Sequence, residues 1–209
     1  MVDHRALTSD GYLKDQDYLA NYQYGYWPTS FNGCGWVAAF NLIHTMRPEV
    51  TPDEVHRAML EFLTFNGRRG TPFPDLAAFF TQWAKMPFWR VYGKSQILER
   101  LSRRGVLKRG VLRYVEGDTP HYIAFYEVNP EKLPAEVILP DPLVPGEGPF
   151  YRFFNAADGL EDFAANMKNF RRDHISHDLL IRLLIPKEKD CPGLKALEIR
   201  GNGAMKQHL

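Results

Sequence analysis

The sequence predicts an α+β fold. Three observations point to it. Helix signals crowd the first half of the chain, strand signals crowd the second, and the strand candidates follow one another through short turns. That order suits a helical lobe against an antiparallel sheet rather than alternating βαβ units. With 209 residues, 44% hydrophobic and 24% charged, the chain suits a single domain over 1–209. An irregular N-terminal arm is expected over 1–20 and a tail over 187–209.

Residues 1–31 read as irregular and aromatic; YLANYQYGYW holds five aromatic residues. A first helix is predicted from Gly33 to Thr45, ending before Pro48. Thr51 and Glu54 form a capping box with Pro52 at the first helical position, so a second helix covers 52–64. NGRRGTP is a turn. A third helix runs from Pro74 to Lys85 with Leu76, Phe79, Phe80 and Trp83 on one face. FWRVYG (88–93) alternates like a strand, and Ser95 caps a helix over 96–103. Three strands are expected next, GVLRYV (110–115), HYIAFYEV (121–128) and AEVILP (135–140), all rich in β-branched and aromatic residues. GDTP and NPEK are the turns between them. DPLVPGEGPFYRF is a Pro/Gly loop leading into a last strand. Residues 158–170 read as a helix, and HDLLIRLLI (177–185) as a strand or short helix.

Charge and composition exclude several functions. The net charge is +1, and the basic stretches NGRRG, LSRRG and NFRRD are short and separated, so no nucleic-acid partner is expected. The N-terminus lacks the apolar core of a secretory signal, and no stretch is long enough to span a bilayer, so no membrane partner is expected. Cys34 and Cys191 make a poor disulfide framework. The expected compartment is the cytoplasm, or an export route that uses no such signal. Oligomeric state is left open.

Cys34 stands out within PTSFNGCGWVAA. Asn32, Gly33 and Gly35 are loop formers, and Val37, Ala38, Phe40, Leu42 and Ile43 begin a buried helix. Cys34 therefore falls in the first helical turn, where unpaired N–H groups and the helix dipole favour a thiolate. A nucleophilic cysteine needs a base, an orienter for that base, and donors for an oxyanion. Of the seven histidines, His4 and His208 lie in tails, and His44 and His56 lie inside helices. His174 and His177 lie in a polar stretch with no second cluster to support a metal. His121 opens a strand after a turn, where an imidazole can face a cleft. If 121–128 and 135–140 pair as an antiparallel hairpin, the start of the first lies beside the end of the second, which places Asp141 next to His121.

NGCGWVAAFNLI, GVLRYVEGDTPHYIAFYEV and VILPDP together resemble the papain-like fold of the C39-type peptidase clan, over residues 20–143. The shared pattern is a Cys-Gly heading a central helix, a His-Tyr opening a strand, and an Asp-Pro closing the strand after it. Members of that clan cleave peptides, often leader peptides after a double glycine; some relatives transfer acyl groups or have lost catalysis. The resemblance implies Cys34 as nucleophile, His121 as base and Asp141 as orienter. It also implies an upstream glutamine as oxyanion donor. The usual position, six before Cys34, is Pro28, so Gln23 is the candidate if GYWPTSFN loops out. Asn32 is the alternative, and the Cys34 N–H is the second donor.

The expected function is a cysteine peptidase-like thiol hydrolase acting on a peptide or acyl substrate, without metal or organic cofactor. Acyl transfer by the same residues, or an inactive peptide-binding module, are the alternatives. YQYGYW and KMPFWRVY supply rings for the core or for a peptide groove.

Overall fold

The computed structural model describes residues 2–92, 94–101, 109–116, 119–128, 150–155 and 182–187. It is a mixed helix and sheet fold with antiparallel pairing throughout the described strands. A small hairpin joins β1 (Gln23–Tyr24) to β2 (Trp27–Pro28). Helices α1 (Thr29–Asn32), α2 (Cys34–His44), α3 (Pro52–Leu60) and α4 (Phe73–Gln82) follow. Then come β3 (Phe88–Tyr92), α5 (Lys94–Leu101), β4 (Arg109–Glu116), β5 (Thr119–Val128), β6 (Phe150–Phe154) and β7 (Arg182–Pro186). The main sheet has the order β3-β7-β4-β5-β6.

The central element is α2. Every residue from Cys34 to Ile43 is buried. A helix that is apolar on all sides must be enclosed, and α2 is, lying among α3, α4, β4 and β5. Trp36, Phe40, Phe79 and Phe80 fill the space between the helices. Arg109 of β4 donates to Thr45 O at 2.7 Å, a cation placed at the carbonyl end of α2. The capping box of α3 forms as expected: the Thr51 hydroxyl accepts from the Glu54 N–H, and the Glu54 carboxylate accepts from the Thr51 N–H. α3 is shorter than predicted because its cap at Glu61 already turns the chain.

The N-terminal arm packs against the rest of the fold. It carries two short 3-10 turns, His4–Ala6 and Gln16–Leu19, and Ala6, Leu13 and Leu19 are fully buried. Asn41, buried inside α2, donates to Leu13 O and accepts from Leu13 N–H, both at 2.8 Å, so the arm uses α2 as its pairing partner. The strand beside β5 differs from the one expected: β5 pairs with β4 from Thr119 to Tyr126 on one edge and with β6 from Ala124 to Val128 on the other, so from Ala124 to Val128 β6 takes the place expected for 135–140. The segments 135–140 and 158–170, Asp141, Cys191, His174, His177 and His208 lie outside the described residues.

Among the described residues, no helix is long and apolar enough to cross a membrane.

Candidate functional site

The glycines on either side of Cys34 are there for close approach. A Cβ on Gly33 would lie 2.4 Å from Thr29 Cγ2, and one on Gly35 would lie 2.1 Å from Thr71 Oγ1. The first contact lets α1 turn tightly into α2. The second lets Thr71 reach the helix head, where its hydroxyl shares a 2.8 Å hydrogen bond with Tyr24. Cys34 is thereby held in the first turn of α2, 8% exposed.

The structure brings His121 to it. The side chain of His121 hydrogen-bonds the Cys34 thiol, and the backbone N–H groups of Tyr122 and Gly35 also point at the sulfur. Burial pushes the thiol up, but the His121 hydrogen bond and charge, with those two N–H groups, outweigh it. The result lies below the ordinary cysteine value. Toward the start of β5, the pairing with β6 extends only as far as Ala124.

The other side of the ring is fixed as well. His121 Nε2 lies 2.5 Å from the backbone carbonyl of Asn155. A carbonyl only accepts, so Nε2 carries the proton. That leaves Nδ1 as the basic nitrogen for the thiol. Asn155 follows β6 directly, with φ 58°, in the left-handed region that asparagine tolerates. Its side chain is clamped to Gln16 of the N-terminal arm. Gln16 N–H donates to Asn155 Oδ1 at 2.9 Å, and Asn155 Nδ2 donates to Gln16 Oε1 at 2.8 Å. Gln16 Nε2 then donates to Ser30 O in α1 at 3.1 Å. Ser30, Gln16, Asn155, His121 and Cys34 thus form one chain of contacts.

Of the residues expected from sequence, Cys34 and His121 come together. Asp141 is among the residues not described, and the strand pairing expected to deliver it is replaced by β5 with β6. β6 ends opposite Ala124, and Asn155, the residue after it, brings its carbonyl to His121. Gln23 is a correction. It does not loop back to the cleft, because residues 23–28 close as the tight β1–β2 hairpin; the side chain is exposed, and its amide donates to Gly25 O at 3.0 Å. Asn32 is also engaged, donating to Gly67 O at 2.6 Å. His56 is a core residue, against Tyr22, Tyr24 and Trp36, with Nε2 3.1 Å from Gln23 O.

Asn155 and Gln16 were not singled out from sequence. The available signal was FFNAADG, an αL-tolerant residue ending an aromatic strand. Gln16 carried none beyond being an upstream glutamine.

Among the described residues, no group of three His, Cys, Asp or Glu side chains could hold a metal ion. No family model matches this chain, and neither a curated protein nor a solved structure is similar enough to be matched to it.

Proposed function

We propose that the chain is a thiol hydrolase of papain-like architecture that cleaves a peptide or related amide bond, with Cys34 as nucleophile and His121 as base. The observation that carries this reading is the hydrogen bond between a helix-head thiol, held below its ordinary pKa, and an imidazole whose far nitrogen is fixed by a carbonyl. A buried cysteine with no catalytic role is expected to lie above the ordinary thiol value.

In the proposed reaction, Nδ1 of His121 takes the Cys34 proton and the thiolate attacks the substrate carbonyl. The carbonyl electrons move to oxygen, which meets the N–H groups at the head of α2. The imidazolium then protonates the leaving amine as the C–N bond breaks. Water, deprotonated by the same ring, hydrolyses the thioester and restores the thiol. Asn155 O keeps the ring in the required tautomer throughout.

A second reading, a peptide-binding module without catalysis, draws support from Gln23, whose amide is turned outward to Gly25 O. Turnover of a peptide pool, read by mass spectrometry, separates the two. Cleavage by the wild-type chain that disappears in Cys34→Ser supports hydrolysis. A pool left intact by wild type, with Cys34 still reactive toward iodoacetamide, supports the binding module.

A further inference from the structure

Residues 26–31 and 64–71 form a wall beside the helix head that carries Cys34. Tyr26 N–H donates to Asn66 O at 2.8 Å, Trp27 Nε1 to Arg68 O at 3.3 Å, and Asn32 Nδ2 to Gly67 O at 2.6 Å. Thr71, at the end of the loop, lies against Gly35. The outer face of this wall is aromatic. Tyr26 meets Trp27 edge-on at 4.8 Å, and Trp27 meets Phe31 at 4.9 Å. Phe31 is 69% exposed and Phe65 76%. Tyr26, Trp27 and Phe31 are contiguous exposed rings, and a patch of this kind marks an interaction surface.

Backbone strain points the same way. Phe65 and Asn66 have φ of 52° and 50°. Asparagine tolerates that region, but a phenylalanine there is an outlier. Stability gains nothing from placing a ring in solvent on a strained backbone. Two cations complete the surface. The Arg68 guanidinium lies 4.8 Å over Tyr26 and that of Arg69 lies 5.9 Å over Phe65. Both are exposed, and neither is in an ion pair among the described residues.

We infer that the shelf formed by Tyr26, Trp27, Phe31, Phe65, Arg68 and Arg69 docks an acidic peptide segment carrying aromatic or leucine side chains, the part of the substrate that leads to the bond at Cys34. The rings supply apolar contact area and the guanidiniums select carboxylates. Rings and arginines would also suit an anionic lipid surface. The shelf's continuity with α1, one turn before the nucleophile, favours the peptide. What happens to the bound peptide rests on the thiol hydrolase reading; the binding itself does not.

The test uses the full chain with Cys34→Ala and a fluorescein-labelled, capped peptide of Leu, Phe and Glu, beside its counterpart with Lys for Glu. Anisotropy titrations at low salt should give about tenfold tighter binding of the Glu peptide. Arg68→Gln with Arg69→Gln should remove that preference. Phe31→Ser and Phe65→Asn should each weaken binding about fivefold or more. Phe65→Asn should do so with the melting temperature held or raised, since asparagine suits the left-handed backbone. Equal binding of the two peptides, or undiminished binding by Phe65→Asn, overturns the assignment. So does binding of phosphatidylglycerol vesicles by a chain that ignores the Glu peptide. Iodoacetamide labelling in the same surface variants with Cys34 restored keeps the two readings apart. Binding undiminished in the surface variants, with wild-type Cys34 labelling fast, removes the shelf alone; a Cys34 that labels no faster than a free thiol, with binding lost in the variants as expected, removes the nucleophile alone.

Discussion

The thiol of Cys34 is pulled in two directions, and the balance can be measured. Burial favours the neutral form; His121 and two N–H groups favour the thiolate and prevail. Iodoacetamide labelling should therefore persist well below the free-thiol pKa of about 8.5. In His121→Ala the burial stays and the opposing charge goes, so the profile should move above that value. Labelling at pH 7 should fall by about tenfold or more. A profile unchanged in His121→Ala would show that the imidazole does not set the thiol. The second residue-scale prediction concerns the two glutamines. Gln16→Ala removes the clamp on Asn155 and should lower kcat by about tenfold through a misplaced ring. Gln23→Ala, at the surface, should leave kcat unchanged. The opposite ranking would return Gln23 to the site.

At the scale of elements, the N-terminal arm and β6 are joined by an ion pair between a buried arginine and a half-buried aspartate. Arg152 is 2% exposed, forms a two-pronged pair with Asp10, and is covered by the rings of Tyr12 and Phe154. Asp10→Asn leaves a buried guanidinium without its counter-charge, and should cost about 3 kcal/mol in chemical denaturation. Arg152→Met removes both the charge and its desolvation, and should cost less. Arg152 lies in β6, three residues before Asn155. A weakened pair should therefore also loosen the carbonyl that holds His121, and slow the labelling of Cys34. The capping box is a separate, local device: Thr51→Ala should cost about 1 kcal/mol without changing the reactivity of Cys34.

At the scale of the whole molecule, His56 and Asp10 are two of the described groups that shape the response to acid, beside the exposed carboxyls of Asp3 and Glu54. Burial holds the His56 ring below its ordinary value. The unfolded chain therefore takes up that proton first, and the fold loses stability as pH falls from about 6.5 through the lower folded value. Asp10 acts in a second window. Burial raises its carboxyl, but the hydrogen bonds from Arg152 and Thr8 and the Arg152 charge outweigh that and lower it. Its contribution is complete above the unfolded carboxyl pKa of about 3.9 and is lost as pH falls through the folded value. Melting temperatures should thus decline in two stages. His56→Gln should remove the upper stage and leave the lower. A wild-type chain equally stable at pH 7 and pH 5 would contradict this account.

Local chemistry was legible in the residue order alone. The capping box at Thr51, the apolar run after Cys34 and the β-branched strands each draw on neighbours a few residues away, so α2, α3, β4 and β5 could be read before folding. So could the pairing of Cys34 with His121, because a helix head and a strand start each present one side chain in a known direction. Which strand lies beside β5 was settled only by folding. Strand pairing is a choice among distant segments with similar patterns, and β6 holds the place expected for 135–140. The orienting carbonyl of Asn155 followed from that choice, since a backbone oxygen leaves no mark in the sequence. Gln16 followed in the same way: its partners lie in α1 and after β6, and only the folded chain brings them to one point.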